Sequence, residues 1–91
     1  MQENYSYPLM DEWSKDEIIK MVEFYAMVEK ANTIGVNREC FLKMVEEFKK
    51  IEPSIAAQKQ IDRRYKEVSG FSIYKTIKSA QESNQKKFKM R

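Results

Sequence analysis

The chain has 91 residues, 42% of them hydrophobic and 34% charged, with a net charge of +3, one Cys and no His. That length makes one domain with a single modest core, and the composition excludes both a chain disordered throughout and one that spans a membrane. Without histidine the commonest general base near neutral pH and the commonest metal ligand are missing, and a lone Cys40 cannot build an intrachain disulfide or a thiolate metal site.

Residues 1–13, MQENYSYPLMDEW, lack helical periodicity but are rich in Tyr5, Tyr7, Leu9, Met10 and Trp13. Pro8 biases Tyr7 toward an extended backbone. The segment is expected to be an extended arm lying on the helices. Trp13 stands one residue before a helix cap and is placed to staple against Ile18. Met1 to Asn4 carry no basic region followed by an apolar block, so no signal peptide is expected. With an unpaired Cys40, the cytoplasm is the expected compartment.

Ser14 and Glu17 form a capping box, with Asp16 and Glu17 at the positive end of the helix dipole. The first helix is predicted over 15–34, closed by Gly35. Its apolar set includes Ile18, Ile19, Met21, Val22, Phe24, Tyr25, Ala26, Met27, Val28 and Ala31. That set is wider than one face, and only Lys20, Glu23 and Lys30 mark a clear polar stripe. A helix apolar on most sides needs neighbours on most sides. It is expected to be the central helix or part of a subunit contact.

Asn37 opens the second helix, predicted over 38–50, with Phe41, Met44, Val45 and Phe48 at i, i+3, i+4, i+7. The three-residue connection Gly35-Val36-Asn37 makes the first two helices antiparallel neighbours. Pro53 ends the run and Ser54 caps the third helix, predicted over 55–69 with Ala57, Ile61, Tyr65 and Val68 inward. Gly70 closes it. Ser72 caps the fourth helix, predicted over 73–82 with Ile73, Ile77 and Ala80 inward. The basic segment 83–91 is expected to fray. The fold class is therefore all-α: a compact four-helix domain, 14–82, with an extended N-terminal arm, 1–13, and a basic C-terminal tail.

Tyr7-Pro8-Leu9 followed by Trp13-Ser14 and Glu17, then Phe48-Lys49-Lys50-Ile51 with Pro53-Ser54 and Ala56, then Glu67-Val68-Ser69-Gly70 with Ser72 and Tyr74, make a combination that resembles uncharacterised protein family 0223. The resemblance covers most of residues 5–80. It implies a short, cytosolic, all-helical protein of Gram-positive bacteria with no assigned biochemical function. It implies no catalytic or binding residues, and the basic tail after Glu82 lies outside it.

Charge is unevenly spread. Residues 1–53 hold seven Lys/Arg against eleven Asp/Glu, a net of −4, and residues 54–91 hold ten against three, a net of +7. Lys59, Arg63, Arg64, Lys66, Lys75 and Lys78 form a candidate basic patch that Lys86, Lys87 and Lys89 continue past the last helix, and phosphate contact is its functional reading. The favoured explanation is packing of the basic half near the acidic half. The acidic run Glu39, Glu46, Glu47 and Glu52 is interleaved with lysines and reads as a solvated helix face. Cys40 falls in the first turn of a helix, where the dipole lowers a thiol pKa. Its favoured reading is nonetheless a half-buried small hydrophobe. No triad, phosphate loop or dinucleotide loop is present, and two glycines cannot build a phosphate cradle.

The expected function is therefore a non-enzymatic protein-interaction module, homodimeric through the broad apolar girdle of the first helix. Met21, Phe24, Met27, Val28 and Ala31 are its candidate interface residues. The expected partner is a second copy or another protein. A nucleic-acid accessory role for the basic half is the lesser alternative. No catalytic residue, metal, cofactor, small-molecule substrate or membrane partner is expected.

Overall fold

The computed structural model describes residues 7–90. The fold consists of α1 (Lys15–Ala31), β1 (Val36–Asn37), α2 (Arg38–Ile51), α3 (Ile55–Ser69), α4 (Ile73–Glu82) and β2 (Lys87–Phe88). It is largely all-α. α1 packs along α2 and also meets α4, while α4 in turn meets α2 and α3.

Each helix starts on a side-chain cap. The Glu17 amide donates to Ser14 Oγ at 3.2 Å and the Ser14 amide donates back to Glu17 Oε1 at 2.8 Å. Asn37 Oδ1 accepts from the Cys40 amide at 2.9 Å, and Ser54 and Ser72 accept from the amides of Ala57 and Lys75. These contacts satisfy amides that a helix leaves without partners at its first turn. Gly70, at φ +84°, closes α3 in the left-handed conformation that favours glycine.

α1 ends at Ala31, three residues before the predicted Ile34. Competing donors take its last carbonyls. Asn32 Nδ2 donates to Val28 O at 2.8 Å and Thr33 Oγ1 donates to Glu29 O at 2.8 Å. The Gly35 amide reaches Lys30 O, and the Met90 amide reaches Ala31 O at 2.7 Å. With those acceptors occupied, residues 32–34 form a turn instead of a further helical turn.

The last of these donors comes from the tail, which departs most from expectation. Residues 83–91 were expected to fray; instead β2 pairs antiparallel with β1, placing Val36 opposite Phe88 and Asn37 opposite Lys87. Phe88 is buried with its ring 6.1 Å from that of Phe41. The Arg38 amide donates to Lys86 O at 2.8 Å. The Arg38 guanidinium donates to the Ala80 and Gln81 carbonyls, where a cation favours the negative end of α4. Burying one aromatic ring and using free carbonyls outweighs the entropy of ordering a short segment.

The core is aromatic and centred on α1. Phe24 stacks on Phe48 with centroids 4.8 Å apart, and Tyr25 stacks on Tyr65 at 5.1 Å. Within the described part of the arm, Tyr7 lies over both Tyr25 and Tyr65. The Tyr25 hydroxyl donates to Pro8 O at 2.6 Å, and the buried Trp13 donates through its indole N–H to Glu52 Oε2 at 3.2 Å. The arm thus covers the side of α1 that carries Tyr25. Tyr5, also assigned to the arm, lies outside the described residues. Gln58, buried on α3, is satisfied on both sides: its amide nitrogen donates to Glu52 O and its oxygen accepts from the Tyr74 hydroxyl. Val68, expected to face inward, is 36% exposed.

Candidate interaction surface

Four of the five residues put forward as an interface are in the core. Met21, Phe24, Val28 and Ala31 are at most 1% exposed, so they are not a contact surface, and only Met27 remains half-buried. The girdle is covered from within. α2, α4 and the arm residues from Tyr7 to Trp13 occupy the sides of α1 that carry those residues.

The apolar residues α1 leaves in solvent lie on the opposite side. Ile19 is 49% exposed and Val22 is 37% exposed. At about 100° per residue, Ile19, Val22 and Ala26 fall on one outward stripe, with Glu23 and Lys30 beside them. Ala26 and Lys30 form a crest between two grooves. One groove, about 490 Å³, runs between α1 and α2 and is floored by Met27, Cys40 and Met44, with Glu23 and Lys43 at its rim. The other, about 350 Å³, is bounded by Glu29, Thr33 and Phe71. Glu29 Oε1 accepts from the Tyr7 hydroxyl at 2.8 Å, while its Oε2 is buried without a hydrogen-bond partner among the described residues.

Cys40 is exposed, contrary to the half-buried position expected of it. The acidic run on α2 is split. Glu52 turns in to meet Trp13, and Glu47 pairs with Lys20 of α1 at 2.9 Å and with Lys50 at 3.6 Å. Those lysines hold the Glu47 carboxyl below its ordinary pKa, and the Lys20 ammonium is raised by the same contact. Both groups are water-exposed, so the pair ties α1 to α2 weakly. Among the described residues no cluster of three or more His, Cys, Asp or Glu could hold a metal ion.

The candidate basic residues Lys59, Arg63, Arg64 and Lys66 on α3, and Lys75 and Lys78 on α4, are all exposed. None has an ion-pair partner among the described residues. The tail adds a feature the sequence reading missed. Held as a strand, it lines a groove of about 570 Å³ with Lys87 and Lys89, against Ser79 and Ser83. A two-residue strand is too short to show alternation, so the nearest sequence signal was Phe88, a large apolar residue inside a basic tail.

These features describe a small, largely all-α protein whose central helix leaves one stripe of its surface in solvent. No helix among the described residues is long and apolar enough to cross a membrane. The chain matches the family described as "Uncharacterised protein family (UPF0223)" over residues 4–89, and it belongs to that family. It is 47% identical to a UPF0223 protein of Bacillus mycoides over 83 residues, which cover 91% of this chain and 93% of that one. It is 37% identical to a UPF0223 protein of Lactiplantibacillus plantarum, over 98% and 92% of the two chains. A UPF0223 protein of Streptococcus thermophilus is 42% identical over 85% of this chain and 83% of its own length.

Proposed function

We propose that this protein is a non-enzymatic protein-interaction module of the cytoplasm, and that its contact surface is the outer stripe of α1 with the adjoining α1–α2 groove. One observation carries this reading. The helix that forms the spine of the core also exposes Ile19 and Val22, with Ala26 and Met27 half-buried beside them. A continuous apolar stripe rimmed by Glu23, Lys30 and Lys43 has the make-up of a contact patch, and methionines suit a surface that must adapt to another. The unpaired Cys40 suits a reducing compartment. The test is a photo-crosslinking side chain placed at position 22 and, as control, at Lys59, in living cells. Protein adducts at 22 and few at 59 support the reading; no adducts at 22 end it.

The second reading is a nucleic-acid accessory role. What favours it is the docking of the tail, which sets Lys87 and Lys89 beside a groove instead of leaving them on a frayed end. Retention on RNA and DNA columns across a salt series checks it. Binding through several phosphates weakens steeply as salt rises, and no retention at low salt removes it.

A further inference from the structure

We infer that the outer stripe of α1 receives a second copy of the same chain, in a two-fold, antiparallel α1–α1 contact centred on Ala26. This rests on the reading of that stripe as a contact surface and names its occupant. A two-fold interface must be self-complementary: whatever lies a given number of residues before the axis meets what lies the same number after it. The stripe has that property. Val22 and Glu23 lie four and three residues before Ala26, and Lys30 lies four residues after it. In an antiparallel pair, Lys30 of each copy therefore lies over Val22 and beside Glu23 of the other. Its aliphatic stem covers the exposed valine and its ammonium meets the carboxylate. The contact occurs twice, once on each side of the axis.

The neighbourhood of Ala26 is suited to be the centre. Its small side chain lets two helices approach closely. The crest it shares with Lys30 has a groove on either side, about 490 Å³ towards α2 and about 350 Å³ towards Phe71. Helices pack by setting ridges into such grooves. Glu23 and Lys30 are exposed, and neither has an ion-pair partner among the described residues, so both are available to the second copy. A stripe of one helix with two flanking grooves belongs to the small, reversible class of interface, not the obligate one.

Sedimentation equilibrium of the full chain from low to high micromolar concentration, with Glu23→Lys, Lys30→Glu and the double reversal, tests the geometry. The wild type is expected to dimerise reversibly. Each single reversal turns two attractive contacts into two repulsive ones and weakens the dimer about tenfold, while the double variant regains it. Circular dichroism checks that the variants fold. Ala26→Cys in a Cys40→Ser background is a second measurement independent of charge. Mild oxidation is expected to give a disulfide-linked dimer, since the two copies of position 26 face each other. A chain that stays monomeric at all concentrations overturns the inference. So does a dimer indifferent to the reversals, or one that the double variant does not restore. If the chain is monomeric but position 22 crosslinks to other proteins, the contact-surface reading stands and only the second copy falls. If position 22 crosslinks to nothing, both fall.

Discussion

Tyr25 shows how much one side chain can join. It is fully buried, stacks on Tyr65, meets the ring of Tyr7 at a tilt, donates to the Pro8 carbonyl and accepts, through its own backbone oxygen, the Tyr65 hydroxyl. Burial pushes its phenol well above the ordinary tyrosine pKa, with the Glu52 carboxylate adding to the effect. Tyr74 is raised too, by burial and then by Asp62. A raised phenol pKa means the folded state holds a neutral group that the unfolded chain ionises above about pH 10. The contribution is whole below that pH and is lost as pH rises beyond it. Denaturant melts across pH 7–11 should therefore show stability insensitive to these phenols at first and then falling above about pH 10. Tyr25→Phe removes a buried hydrogen bond and should cost about 1–3 kcal/mol at neutral pH, with a shallower alkaline fall. The two glycines differ as well. Gly35 and Gly70 both have positive φ, but a Cβ at Gly70 meets nothing within 4 Å, while at Gly35 it meets Lys87 Cε at 3.0 Å and Phe88 O at 3.3 Å. Gly70→Ala should cost roughly 1–2 kcal/mol from backbone strain alone. Gly35→Ala should cost more, because the β2 backbone must move as well.

Among the elements, the tail is the one whose role changed between sequence and structure. β2 closes the end of α1 through Met90 and Ala31, pairs with β1 and seats Phe88 on Phe41. Phe88→Ala should destabilise the fold by roughly 3–5 kcal/mol, as read by urea or thermal melts. A freely fraying tail would give almost no change. The helices were legible because each opens with Ser or Asn placed to cap an amide, and Pro53, Gly35 and Gly70 punctuate between them. A capping residue acts within three positions of itself, so its effect is local and readable. β1 and β2 are two residues each and lie 52 positions apart by the Val36–Phe88 pairing. Nothing local specifies such a pair. The early stop of α1 shares that origin only in part: Asn32, Thr33 and Gly35 take its carbonyls locally, and Met90 takes the last one from the far end of the chain.

For the whole molecule, the question is which sides of α1 face inward. Its residues are apolar on most of the circumference, so its pattern alone left the outward side open. The aromatic arm and three helices cover the sides with Phe24, Tyr25, Met21 and Val28, leaving Ile19 and Val22 outside. Paired truncations separate the two groups. Met21→Ala should cost about 2–5 kcal/mol of stability. Val22→Ala should leave the melting curve nearly unchanged and instead weaken self-association in the sedimentation experiment.

Cap chemistry and helical spacing, both written in neighbouring residues, are enough to make this chain an all-α protein with helices opening at Ser14, Asn37, Ser54 and Ser72. Only the tertiary structure decided which face of α1 meets water and whether the basic tail is bound. The physical reason is that each depends on contacts between segments far apart in the chain. There, burial of one surface competes with burial of another, and no local pattern records the winner.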